Sequence, residues 1–143
     1  MAVTQFRVSE AAALLGVSDD TVRRWADAGR LTLTRQASGP ALVDGAELAS
    51  LSLELAAESA LAAAFPASRA SARNRLTGIV TKVTKDGVMA QVELQAGPFR
   101  LVSLMSREAA DELGLEPGSL AVASAKATTV VVELPDTPKR TAE

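Results

Sequence analysis

Ser71-Ala-Arg-Asn-Arg-Leu-Thr-Gly-Ile-Val80 is the stretch on which the reading of this chain turns. It follows a Pro/Ser/Ala-rich join, Phe65-Pro-Ala-Ser68, and begins an all-β pattern that continues to Leu134. Its first residues carry a hydroxyl, guanidinium groups, an amide and several backbone N–H groups. Donors clustered beside a turn can hold a small anion, although an ordinary solvated start to a strand has the same composition. Strand-type patterning follows in Leu76, Val80 and Val83, then in Val88, Ala90, Val92 and Leu94. Asp86-Gly87 predicts a hairpin turn and Gln95-Ala-Gly-Pro98 the next one. Phe99 to Met105 reads as a third strand. Ser106 is placed to cap a short helix, Arg107 to Leu113, closed by Gly114. Pro117-Gly118 turns the chain into Leu120 to Ala125, and Thr129 to Leu134 reads as the last strand. Five strands with a small helix after the third predict a small barrel of the oligonucleotide-binding type.

Upstream of the join the period changes from two to that of helices. Ser9 is placed to cap a helix reaching about Leu15, and Gly16 ends it. Ser18 is a second N-cap, Asp19 and Asp20 suit the helix dipole, and Val17 can staple onto Val22. That second helix reaches about Ala28, and Gly29 fits the left-handed position beyond its end. Two short helices joined by a tight turn containing Gly form a helix-turn-helix. Val22, Trp25 and Ala26 share a core side. Thr21, Arg23 and Arg24 then become candidates for an outward, DNA-reading face, against the alternative of a solvated charged surface. Asp44 caps a third helix expected to run to about Ala64, with Leu48, Leu51 and Leu55 on one face. Its later part, Ala56 to Ala64, either pairs with another subunit or simply connects.

Composition narrows the chemistry. The chain has 143 residues, room for one ordinary domain or two small ones. It contains no Cys and no His, so thiolate metal sites, disulfides and the commonest general base are all missing. Enzyme chemistry is not expected. The net charge of −2 confines any nucleic-acid contact to a local patch. Residues 1–66 hold five arginines, Arg7 to Arg35, against eight acids. The start of the chain lacks a basic segment leading into a long apolar run, and Glu47, Glu54 and Glu58 interrupt the Ala/Leu-rich helix. A cytoplasmic protein without a membrane span is expected.

Two family resemblances join these readings. The run Ser71 to Val80, with Gly87-Val-Met-Ala-Gln-Val92, Ser106-Arg-Glu-Ala-Ala-Asp-Glu-Leu-Gly-Leu115, Pro117-Gly118 and Ala125-Lys-Ala-Thr128, resembles the Mop, or molbindin, domain. That family binds molybdate or tungstate between subunits. The resemblance implies an oxyanion set of Ser71, Ala72, Arg73, Ser106, Lys126, Ala127 and Thr128, with donors from more than one chain. It implies a homo-oligomer, a hexamer favoured and a dimer possible. Ala109 stands where the family often has a serine ligand, which removes one donor. Phe6-Arg-Val-Ser-Glu-Ala-Ala-Ala-Leu-Leu-Gly-Val-Ser18, with Thr21-Val-Arg-Arg-Trp25 and Gly29-Arg-Leu31, resembles the winged helix-turn-helix of the MerR and excisionase families. Leu31 to Arg35 and Ala41 to Val43 would be the wing strands, turning at Ser38-Gly-Pro40. Arg35 is the wing's one basic residue, so DNA binding is expected to be modest and salt-sensitive.

The expectation is therefore an α+β chain. An all-α winged helix-turn-helix occupies residues 1–64, a linker 65–70, an all-β Mop barrel 71–135 and a frayed tail 136–143. DNA contacts are assigned to Thr21, Arg23, Arg24 and Arg35. The function expected is an oxyanion-responsive DNA-binding regulator of molybdenum homeostasis. The alternative is an intracellular oxyanion store or buffer whose helical domain is a scaffold or protein dock.

Overall fold

The computed structural model describes residues 4–136. One compact unit takes in the chain up to Ala62 together with residues 132–136, and a second spans Ala63–Val131.

The first unit is built on two short helices, α1 (Val8–Leu15) and α2 (Asp19–Asp27). Gly16 ends α1 at a left-handed φ of 69°, which lets the Gly16 and Val17 N–H groups bond back to Ala13 and Ala12. Ser18 Oγ accepts the Thr21 N–H at 3.2 Å, so α2 starts where its sequence asks. The start of α1 is corrected: its N-cap is Arg7 rather than Ser9. The Glu10 carboxylate accepts the Arg7 N–H at 2.8 Å and pins the helix start there. Val8 is then buried while Ser9 faces solvent.

Three short strands flank these helices: β1 (Gln5–Arg7), β2 (Leu33–Thr34) and β3 (Leu42–Asp44), antiparallel in the order β1-β3-β2. The wing hairpin is present, but shorter than Leu31 to Arg35 and Ala41 to Val43. Leu31 is drawn into the core before the ladder begins. The lead-in at Phe6 becomes a strand because β3 has a second edge to fill. Asp44 Oδ2 then caps α3 (Gly45–Ala57), accepting the Ala46 and Glu47 N–H groups at 3.1 and 3.2 Å. The single helix expected to reach Ala64 is instead two pieces. α3 closes at Glu58 and a short α4 (Ala60–Ala64) follows. None of residues 56–64 is buried, and a helix without a packed face is weakly held.

Val8, Ala11, Ala12, Val22, Leu31, Val43, Leu48 and Leu51 form the core of this unit. Each fully buried Val or Leu contributes about 1.5–3 kcal/mol by removing apolar surface from water. Arg30 ties the end of the helix-turn-helix to α3. Its guanidinium lies 5.8 Å from the Trp25 ring centroid and 3.5 and 3.8 Å from the Glu54 and Glu58 carboxylates.

The second unit is an antiparallel sheet of β4 (Asn74–Lys85), β5 (Met89–Ala96), β6 (Phe99–Ser106) and β7 (Leu120–Ala125), ordered β6-β5-β4-β7. It curls into a half-barrel. β4 serves two partners: residues 74–79 pair with β7, and residues 79–85 pair with β5 past a register shift between Val80 and Lys82. The bend carries the strand from one neighbour to the other. Gly78 sits beside it, where a Cβ would lie 2.5 Å from the Gln95 carbonyl oxygen, so only glycine lets the backbones approach. The Asp86 carboxylate closes the β4–β5 hairpin by accepting the Val88 and Met89 N–H groups at 2.7 and 2.6 Å. α5 (Arg107–Glu112) follows β6, with Ser106 Oγ accepting the Ala109 N–H at 3.1 Å. Val80, Val92 and Leu94 are buried, while Val83, Leu101, Met105, Leu115 and Ala121 are only partly covered.

The fifth strand expected over Thr129 to Leu134 is not formed. A single 3-10 turn, Ala127–Thr129, follows β7, and residues 130–136 carry no strand. Valine-rich composition favours a pleated surface only where a neighbouring strand supplies the ladder, and neither edge of the sheet takes this segment. Apart from Asp136, the tail assigned to residues 136–143 lies outside the described residues. Among the described residues no helix is long and apolar enough to cross a membrane.

Candidate functional site

The antiparallel register of β4 and β7 pairs Asn74 with Ala125. Ser71, Ala72 and Arg73 therefore approach the sheet at the same end from which Lys126, Ala127 and Thr128 leave it. Two segments more than fifty residues apart in sequence become neighbours. The Asn74 side-chain amide donates to the Ala125 carbonyl at 3.2 Å and clasps them. Arg73 Nη1 donates to the Ala70 carbonyl at 3.0 Å, bending its guanidinium over the incoming loop. The Lys126 carbonyl accepts both the N–H and the hydroxyl of Thr129, at 3.0 and 2.9 Å, which holds the outgoing turn. Ser71, Arg73, Lys126 and Thr128 are exposed. Among the described residues Lys126 makes no ion pair. Hydroxyls, backbone N–H groups, a guanidinium and an ammonium, with no carboxylate among them, are the donor set that a tetrahedral dianion requires.

Ser106 lies elsewhere. It pairs with Met89, beside the Lys85 end of β4, so the 12-residue length of β4 separates it from the Asn74 end. One chain does not bring Ser106 together with the other six residues. Its hydroxyl oxygen is engaged as the cap of α5 and its O–H remains a donor. Around it, Lys85 Nζ meets Asp111 Oδ1 at 2.5 Å, Arg107 Nε lies 3.7 Å from the same carboxylate, and Arg107 donates to the Asp86 carbonyl.

Arg75 and Asn74, neighbours of the candidate set, play structural parts. Arg75 Nη1 donates to the Phe65 carbonyl at 3.1 Å. Asn74 bonds to backbone, as its residue type leads one to expect, but its partner Ala125 lies across the ladder rather than nearby in sequence, a pairing that only the register of the folded sheet defines.

Three carboxylates of this unit titrate below their usual range. Asp111 is held down chiefly by its hydrogen bond from Lys85, Asp86 by the Met89 and Val88 N–H groups, and Glu93 by its bond from Arg100 at 2.6 Å. A lowered folded-state pKa adds stability above the unfolded value and loses it as pH falls through the folded one. The urea midpoint of the protein is therefore expected to hold from neutrality to about pH 5 and to fall below about pH 4. Asp86→Asn should flatten that acid fall, and a parallel curve for the variant would refute the assignment.

In the helical unit, Arg23 and Arg24 stand exposed on α2, and Arg24 Nη2 contacts Thr21 Oγ1 at 3.4 Å. Arg23 pairs with Asp20 at 3.8 Å. Arg35 follows β2 and, with Arg23 and Arg7, lines a surface hollow between α2 and the wing that also receives Asp19 and Asp27. The structure thus gathers Arg23 and Arg35 and turns Thr21 and Arg24 to a neighbouring part of the helix. Arg7 was missed, because a single basic residue ahead of the first helix has no sequence signature.

Comparison with known proteins follows the same division. Residues 70–132 match the TOBE domain family, and residues 6–49 a helix-turn-helix domain family. Molybdenum-pterin-binding protein 2 of Clostridium pasteurianum is 38% identical over 63 residues, covering 43% of this chain and 93% of that protein. Molybdenum-pterin-binding protein MopA of Rhodobacter capsulatus is 40% identical over 76 residues, 52% of this chain. The match spans only 29% of the length of MopA. Among solved structures, the cytoplasmic molybdate-binding protein ModG, with molybdate bound, is 40% identical over 48% of this chain and 49% of its own, with a TM-score of 0.45.

Proposed function

The chain belongs to the Mop family of TOBE-domain proteins, and from that premise we propose that it is a non-catalytic, oxyanion-responsive DNA-binding regulator of molybdenum homeostasis acting in the cytoplasm. The observation that carries the reading is the Asn74–Ala125 register, which sets Ser71–Arg73 beside Lys126–Thr128. Molybdate or tungstate is the ligand class. Each is a dianion with no proton to give at neutral pH, so each suits donors alone. The names of the two relatives, both molybdenum-pterin-binding proteins, support that choice. Ser106, at the far end of the sheet, serves a separate position completed by another subunit, in a homo-oligomer for which a hexamer is favoured. An anion held between chains stabilises the assembly that holds it, and the assembly sets the spacing of the helix-turn-helix units on an operator.

The test is a gel shift in low and moderate salt, with and without molybdate. The wild-type chain should shift DNA, molybdate should change the affinity, and Arg24→Ala should weaken binding about tenfold or more. Undiminished binding by the Arg24 variant would remove α2 from the DNA contact. The rival reading, an oxyanion store whose helical unit docks on protein, draws on the Arg23–Asp20 pair and on Asp19 and Asp27 in the arginine hollow. Molybdate binding with no DNA shift in any salt would establish it.

A further inference from the structure

Charge is divided unevenly along this chain. Residues 1–66 hold five arginines against eight acids, and two of those arginines are already paired. Arg23 lies 3.8 Å from Asp20, and Arg30 lies 3.5 and 3.8 Å from Glu54 and Glu58. A DNA backbone is held chiefly by Lys and Arg, so a helix-turn-helix with this balance brings little of the charge required. The missing charge lies further on. From Ser59 to Lys85 the chain has five cations and no carboxylate. Lys85 is paired with Asp111, and Lys82 acts on Glu93. Arg69, Arg73 and Arg75 are exposed and, among the described residues, make no ion pair. They fall in one run, Arg69-Ala-Ser-Ala-Arg-Asn-Arg75, interleaved only with small or neutral polar side chains. The pairing of Asn74 with Ala125 brings exposed Lys126 to the same end of the sheet.

We propose that Arg69, Arg73 and Arg75 form a second contact for the DNA backbone, outside the helix-turn-helix, and that molybdate competes with DNA phosphate for Arg73. A phosphodiester is a tetrahedral oxyanion, as molybdate is, and a guanidinium fork matches two of its oxygens. Donors that suit one therefore suit the other, and no acid within the run repels either. Arg73 and Arg75 each give one nitrogen, Nη1, to the carbonyls of Ala70 and Phe65, which leaves further N–H donors on both. Phosphate contacts of this kind add affinity without sequence preference. An anion seated on Arg73 takes that donor from DNA, so bound molybdate lowers DNA affinity. The competition rests on the oxyanion role proposed for Arg73; the backbone contact does not.

The test is fluorescence anisotropy of the full chain on a labelled duplex of arbitrary sequence, titrated at several salt concentrations. Arg69→Gln/Arg75→Gln should bind about tenfold or more weakly in low salt, with a log–log salt slope shallower by about two. A wild-type slope in the double variant overturns the contact. Arg69 makes no hydrogen bond or ion pair among the described residues, so Arg69→Gln alone leaves the fold intact. It should still lower the slope by about one. Weakening by Arg24→Ala but by neither segment variant would leave the helix-turn-helix reading standing and remove the second contact. At constant ionic strength, molybdate should weaken wild-type DNA binding about threefold or more, and sulfate should not. Calorimetry on the same samples separates two failures. Molybdate heat without loss of DNA affinity overturns the competition alone, whereas no molybdate heat overturns it together with the oxyanion reading.

Discussion

Gly78→Ala is expected to destabilise the β unit by about 3 kcal/mol, a large share of the stability of a small domain. The added Cβ would lie 2.5 Å from the Gln95 carbonyl oxygen, 3.0 Å from its carbon and 3.2 Å from the Ala96 Cα. All three are backbone atoms, so no flexible side chain can yield. β4 and β5 would have to separate where Ile79 faces Gln95, the first rung of their ladder. Overpacking of this kind costs about 1–3 kcal/mol, and weakened ladder hydrogen bonds add about 1 kcal/mol each. For a unit of this size that is a drop of roughly 15 °C in Tm. Gly87→Ala is the internal control: its Cβ would meet open space, and its φ is not left-handed. Circular dichroism melting of both variants decides the matter. Equal Tm values would mean that the β4–β5 approach relaxes more easily than its backbone contacts imply.

Lys126→Ala should weaken molybdate binding by at least about tenfold, since a charge-assisted hydrogen bond is worth about 1.5–3 kcal/mol. Lys126 lies in a run, Ala121–Thr129, that is otherwise small and uncharged. It makes no ion pair among the described residues, so its charge is available to a ligand. Thr128→Ala removes one neutral donor and should cost less, about 1 kcal/mol. Asn74→Ala touches no proposed ligand atom, yet it should also weaken binding, because its amide holds the two donor segments together through Ala125. Calorimetric titration with molybdate, with sulfate as the control anion, reads all three. A wild-type affinity retained by the Lys126 variant would place the anion elsewhere.

The helix starts show how far local chemistry reaches. Ser18, Asp44 and Ser106 each cap the helix that their position predicts, because a cap is settled within three or four residues. Ser9 did not, because a carboxylate one residue on was better placed for Arg7. Gly16 and Gly29 take the left-handed backbone that ends their helices. What depends on distant partners was less legible. Gln5–Arg7 is a strand only because β3 offers an edge, and Thr129 to Leu134 is not one because no edge of its own sheet receives it. The oxyanion candidates show the same limit. Their residue types were readable in sequence, but the opposite placement of Ser106 and the clasp by Asn74 belong to the register of the folded sheet.

The contact of Arg30 with Trp25 has an optical consequence. Trp25 is the chain's only tryptophan, and there is no tyrosine. Emission excited at the red edge of the ultraviolet therefore arises from the helix-turn-helix alone, and the β unit is dark. The indole sits half-covered beside a cation that two glutamates hold in place. Loss of that arrangement, by heat, by denaturant or by DNA drawing α2 into a groove, should move the emission maximum. A ligand entering the sheet would stay invisible unless its message reached the helices, so the untagged protein carries its own fluorophore for detecting communication between the two.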